Sequence, residues 1–158
     1  MKKIILVFFL LIGCLNAFDK VSLEYGYKNN IDVYGIALQK DFDYKLFDIA
    51  KLAFDISAQH ISGEDDSLTV ISAQPLINID LSKKIYFEAG VGGAYFSKDY
   101  LDHKKFGMHF QFKESIGFGY RFTDNLEATL KYNHYSNADL DDDNAGLDFF
   151  GIKVAYKF

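Results

Sequence analysis

Phe106-Gly107-Met108-His109-Phe110-Gln111-Phe112-Lys113-Glu114-Ser115-Ile116-Gly117-Phe118-Gly119-Tyr120-Arg121-Phe122 alternates large apolar side chains with small or polar ones. Phe106, Met108, Phe110, Phe112, Ile116, Phe118, Tyr120 and Phe122 share one parity. Gly107, His109, Gln111, Lys113, Ser115, Gly117, Gly119 and Arg121 share the other. A period of two places these sets on opposite faces of a strand, so 106–122 is predicted as one long strand. Glu114 is the one residue of the first set that is not apolar, which suggests a bulge or an exposed end there.

Outward from this stretch the same period recurs. Strands are predicted at about 21–27, 33–40, 52–60, 68–80, 85–92, 126–136 and 147–158, with turn signals such as Lys28-Asn29-Asn30, Ser82-Lys83-Lys84 and Thr123-Asp124-Asn125 between them. Pro75 is expected to mark a bulge or an edge. Eight strands of about ten residues match the smallest common transmembrane barrel, with one face to lipid and the other to a packed polar interior. The fold class expected is all-β: an eight-stranded antiparallel transmembrane β-barrel over 18–158. A secreted soluble barrel or sandwich would show the same alternation with the faces exchanged.

Composition agrees with two opposed faces. The 158-residue chain has 16 Phe and 11 Tyr, yet its mean hydropathy is −0.04. A single Cys excludes an intrachain disulfide scaffold. Seventeen basic against 22 acidic residues argue against nucleic acid as a partner. Residues 1–17 read as a signal peptide: Lys2 and Lys3, the apolar run Ile4–Ile12, then Leu15-Asn16-Ala17 before the cut. Leu11-Ile12-Gly13-Cys14 is a competing lipobox-like signal that would make Cys14 the mature N-terminus. Removing Lys2 and Lys3 leaves 15 basic against 22 acidic residues.

The candidate chemistry sits where apolar residues are expected. The apolar parity of 126–136 ends in His134 and Ser136, and that of 147–158 starts at Asp148. If 137–147 closes symmetrically, 136 lies opposite 148 and 134 opposite 150, and the three side chains can converge. A Ser-His-Asp set hydrolyses esters: Ser136 attacks, His134 takes the proton, and Asp148 orients the imidazole. On a lipid-facing wall the natural substrate is a lipid. Polar residues at a membrane rim are the plainer reading of the same three positions.

His134-Tyr135-Ser136-Asn137-Ala138, followed by Asn144-Ala145-Gly146-Leu147-Asp148 and an alternating strand to Phe158, resembles the end of the PagL-type lipid A deacylases. The resemblance implies an eight-stranded outer-membrane barrel that removes the ester-linked 3-position acyl chain of lipid A, with the active site facing the outer leaflet. It implies His134, Ser136 and Asp148 as catalytic residues, and Asn144 and Asn137 as oxyanion or positioning residues. Asp148 stands where the family has Glu, and Ala145 where it has Pro. The implied partners are lipid A (lipopolysaccharide) as substrate and the outer-membrane lipids; no cofactor and no metal are expected, and a homodimer is left open. A non-catalytic structural or adhesive barrel and a phospholipase-type lipid esterase are the alternatives.

Other groups carry weaker signals. Asp139, Asp141 and Asp143 lack the Gly and Glu of a calcium loop and read as a solvated acidic segment. His60, His103 and His109 have no metal-ligand spacing. Gly90-Val91-Gly92-Gly93 precedes no helix and reads as room for lumenal packing. Lys104 and Lys105 are candidates for contacting lipid phosphates or for a solvated loop.

Overall fold

The computed structural model describes residues 17–158. Residues 1–16, with Cys14 and nearly all of the predicted signal peptide, lie outside the described residues. The chain forms β1 (Lys20–Lys28), β2 (Ile31–Leu46), β3 (Ala50–Ser62), β4 (Ser67–Asp80), β5 (Ile85–Phe96), β6 (Tyr100–Leu101), β7 (Lys104–Lys105), β8 (Phe110–Arg121), β9 (Leu126–Ser136) and β10 (Leu147–Lys157). Eight strands close in the order β1-β10-β9-β8-β5-β4-β3-β2, and β6 and β7 form a separate small hairpin. Every barrel pair is antiparallel. Closure removes the sheet edges that lipid could not hydrogen-bond.

Which face is inside follows from adjacent residues: Leu130 is 67% exposed and Lys131 is 4% exposed. The wall is therefore apolar outward and polar inward, the inverse of a soluble barrel. The three connections at the end of the barrel where β1 starts and β10 ends are short, 47–49, 81–84 and 122–125. The opposite end carries the longer segments 97–109 and 137–146.

Mid-lumen charges pair around Glu88, whereas the buried carboxylate of Asp55 has no hydrogen-bond partner among the described residues. Glu88 receives Lys131 and Lys153, each at 3.0 Å, and Lys153 also donates to Gln39 Oε1 at 3.3 Å. Lys113 Nζ donates to Ser57 and Ser72 at 3.2 and 3.0 Å. Tyr86 lies across the lumen above Gly119, where a Cβ would overlap its ring, and its hydroxyl is 2.8 Å from Thr129 Oγ1.

The lumen is not polar throughout, as the strand pattern led one to expect. Val33, Ile61, Leu68, Val70, Phe96, Leu101, Phe106, Tyr135, Leu147 and Phe149 form one buried apolar cluster. These residues gather at the long-loop end and plug it. Phe106 belongs to this plug and not to the outer wall, packing edge-on against Phe96 at 5.1 Å. The long strand starts at Phe110, because Gly107 with φ +75° turns the chain out of the extended conformation. Pro75 marks neither an edge nor a register shift. Pairing of β4 with β5 is interrupted between Ala73↔Gly93 and Leu76↔Gly90 and resumes in the same register. The missing Pro N–H accounts for the gap.

Replacing Glu88 with Ala leaves two buried lysines without their carboxylate. We expect urea unfolding of the detergent-folded barrel to show a loss of about 3–5 kcal/mol. An unchanged midpoint would mean that the lumenal triad is not needed for stability.

Candidate active site

The plug fixes the register from which the site is built. Tyr135 and Leu147 are opposite each other on β9 and β10, and both are fully buried in it. Their outward neighbours are thereby opposed, and Asp148 lies directly across from His134. This corrects the symmetric closure expected from sequence: 136 is not opposite 148, and Phe150 faces Tyr132. The register differs because Leu147 takes a place in the core, and Gly146 at φ +60° lets the chain turn into β10 just before it.

Direct opposition brings the short Asp side chain into reach. His134 Nδ1 donates to Asp148 Oδ1 at 2.6 Å. The Tyr132 hydroxyl donates to the same oxygen at 2.7 Å, and Lys28 Nζ donates to Oδ2 at 3.3 Å. The carboxylate is thus held on both oxygens by groups from β9 and β1. The side chains of His134 and Asp148 are 34% and 31% exposed, open to the outside of the wall. With Nδ1 donating to the carboxylate, Nε2 is the basic nitrogen of the ring.

Ser136 lies two residues beyond His134 on the same face, opposite Phe112 of β8. No hydrogen bond joins Ser136 to His134 in this structure. Same-face neighbours on a strand are about 6.6–6.8 Å apart along it, and catalytic hydrogen bonds often tighten only with substrate.

Asn137 and Asn144 organise the loop between β9 and β10. Asn137 is buried and turned inward, its Nδ2 donating to the carbonyls of Phe106 and Asp143, each at 2.9 Å. Its backbone N–H donates to Asn144 Oδ1 at 3.0 Å, and Asn144 Nδ2 donates to Asp139 Oδ1 at 2.9 Å. Ala138 and Asp139 follow Asn137 with φ of +55° and +59°. Ala145 donates its N–H to Lys105 O at 2.9 Å, a bond that proline could not make. Lys104 Nζ approaches Gly146 O at 3.5 Å, so β7 braces the loop beside the site. On the neighbouring outer loops, Asp102 accepts the N–H groups of Asp65, Glu64 and Asp66, which hold its carboxyl below the usual carboxylate range.

The remaining histidines are not gathered. His109 stacks on Tyr95 and donates from Nδ1 to Phe96 O at 2.8 Å, while His60 lies on β3 opposite Tyr34 and Thr69.

An apolar groove of about 700 Å³ starts at His134 and Tyr132 and crosses the outer wall through Glu114 and Ile116, Val91 and Ala89, Pro75 and Ile77, to Phe54, Leu52 and Phe42. It runs across the strands rather than along them, since Glu114 pairs with both His134 and Val91, and Phe54 pairs with Pro75. From β9 to β3 it covers about 19 Å at the usual strand spacing. The small residue Ala89 and the pairing gap at Pro75 leave the hollow. Tyr132, Lys28 and Glu114 were not singled out for the site from sequence. The available signals were the shared parity of Tyr132 and the break that Glu114 makes in an apolar face.

Comparisons with known proteins place the fold and the family. The family model for lipid A 3-O-deacylase (PagL) matches residues 32–157. The lipid A deacylase PagL of Bordetella bronchiseptica is 36% identical over 87 residues, 55% of this chain and 49% of that protein. The lipid A deacylase PagL of Pseudomonas aeruginosa is 32% identical over 71 residues, 45% of this chain and 41% of that protein. The matches thus span about half the length of these curated relatives or less. A crystal structure of the outer membrane enzyme PagL superposes with a TM-score of 0.80 at 23% identity, covering 88% of this chain and 99% of that one. The outer membrane protein Ail of Yersinia pestis shares the barrel at a TM-score of 0.55 and 10% identity. With the family model covering all but the first barrel strand and its turn, the chain belongs to the lipid A 3-O-deacylase (PagL) family.

Proposed function

We propose that this protein is an outer-membrane serine esterase that removes the 3-position acyl chain of lipid A. The observation that carries the reading is the 2.6 Å His134–Asp148 bond on the lipid-facing wall, at the mouth of an apolar groove. An acyl chain seated in the groove brings its ester carbonyl to Ser136. The Ser136 Oγ attacks the carbonyl carbon as His134 Nε2 takes its proton. The imidazolium is stabilised by Asp148, whose position Tyr132 and Lys28 maintain. Collapse of the tetrahedral intermediate expels the sugar hydroxyl, protonated by His134, and water then releases the fatty acid from Ser136 by the same steps in reverse. The oxyanion donor is the Asn144 amide, on exchanging Asp139 for substrate, together with the backbone N–H of Ala138. The reading uses no cofactor and no metal.

The orientation follows from the barrel rule that the end with the termini faces the periplasm. The site then opens to the outer leaflet, where lipid A resides. Residues 1–17 are, on this reading, a signal peptide removed during export.

Mass spectrometry of lipid A from cells producing the protein should show loss of the 3-position acyl chain. Ser136→Ala should abolish it, and Asp148→Asn should lower the rate by about 10³–10⁴-fold through the wrong imidazole tautomer. Unchanged lipid A would favour a structural barrel, and preferential phospholipid turnover would favour a phospholipase. Filling the groove with Ala89→Phe should lower kcat/KM for long acyl chains more than for short ones. The long-to-short ratio should fall about tenfold for every two methylenes displaced, at about 0.8 kcal/mol each. An equal fall for all lengths would mean that the chain binds elsewhere.

A further inference from the structure

Asp102 sits in the two-residue turn of the β6–β7 hairpin with φ +52°, and its carboxylate bonds outside that hairpin. Oδ1 accepts the N–H groups of Asp65 and Asp66 and Oδ2 that of Glu64, each at 3.0 Å. Segment 63–66 is shaped for this contact. It closes on itself through the Gly63 N–H to Asp66 O at 2.8 Å, which leaves three neighbouring N–H groups aimed at one acceptor. A Cβ on Gly63 would overlap the carboxylate. The segment is in turn tied to the β1–β2 turn, where Asn30 Nδ2 donates to Glu64 Oε1 at 2.7 Å.

The other side of the hairpin carries the loop beside the site. A hairpin of two residue pairs does not hold itself in place. Its position is set by Leu101 and Phe106, sunk in the plug, and by Asp102 at its turn. From there Lys105 O receives the N–H of Ala145, Phe106 O receives Asn137 Nδ2, and Lys104 Nζ approaches Gly146 O. That loop needs support. Ala138 and Asp139 are held at φ +55° and +59°, a backbone that non-glycine residues keep only where their surroundings impose it. Ala138 and Asn144, the proposed oxyanion donors, lie in this strained segment. Resting on the esterase reading above, we infer that Asp102 is a positioning residue for the reaction. By docking the hairpin on 63–66 it fixes the 137–146 loop, and with it the oxyanion donors. Its φ does not require a carboxylate, since Asn or Gly also adopts it. The carboxylate is required by the three N–H groups, which a neutral amide with one acceptor oxygen cannot all satisfy.

The test compares the full barrel in detergent micelles with Asp102→Gly, which keeps the turn and removes both oxygens, and with Asp102→Asn, which keeps one. The first readout is amide hydrogen exchange. Asp102→Gly should speed exchange of the Ala145 and Asn137 N–H groups about tenfold, with Asp102→Asn in between and Lys131 in mid-β9 unchanged. Equal exchange at Ala145 and Asn137 in all three proteins overturns the inference. So does an equal rise at Lys131, which would mean a general loss of stability. The second readout adds Ser136→Ala to each protein to stop turnover. Titration calorimetry then compares a synthetic glucosamine ester with the matching phosphonate, an anionic mimic of the tetrahedral intermediate. Asp102→Gly should weaken the phosphonate about ten- to hundredfold and change the ester less than about twofold. A misfolded fraction would alter the stoichiometry and neither dissociation constant. Equal weakening of both ligands, or of neither, overturns the inference. If Asp102→Gly does not fold, Asp102→Asn carries both readouts. A parent protein that binds phosphonate no tighter than ester strikes the esterase reading instead, and hydrogen exchange alone then decides whether Asp102 fixes the loop.

Discussion

Tyr135 against Leu147, inside the barrel, is the contact on which the site depends. Both side chains are buried in the apolar plug with Phe96, Phe106 and Phe149. Side chains alternate along a strand, so fixing this inward pair fixes the outward pair beside it, His134 and Asp148. A register slip of one residue would turn Asp148 into the lumen. A slip of two would carry it past the imidazole, beyond the reach of its single methylene. The hydrophobic effect acting on one face thus sets the hydrogen-bond geometry of the other.

The same division explains the cost of the lumen. Eight strands enclose too little space for water to solvate Glu88, Lys131 and Lys153, so the one carboxylate pairs directly with both lysines. Closure of the sheet makes this arrangement stiff, and a stiff wall holds a site more accurately than a loop does. The loop beside the site is itself restrained from within, through Asn137, Asn144 and the bond from Ala145 to β7. Ala145, where the resemblance implies Pro, supplies that last bond. Asp148, where the resemblance implies the longer Glu, reaches the imidazole because it faces it squarely.

The groove and the site are continuous, which ties binding to chemistry. Tyr132 donates to Asp148 and lines the groove, and His134 is both the proposed base and the groove's end wall. The hollow itself comes from absence: a small residue at Ala89, and the lost ladder bond at Pro75.

The eight strands, their two-faced alternation, and the exceptional positions His134, Ser136 and Asp148 are legible in the order of residues alone, because a period of two is a local property. Glu114 was visible as a break in that pattern but not as a neighbour of His134, which belongs to another strand. Phe106 shared the outward parity on paper yet turned into the plug, because Gly107 ended the strand between them. That 148 faces 134, that Lys28 and Tyr132 hold the carboxylate, and that a groove crosses the wall from the site emerge only once the strands are assembled. These are relations between strands, set by which side chains the core accepts and by how the barrel closes, and no local pattern encodes them.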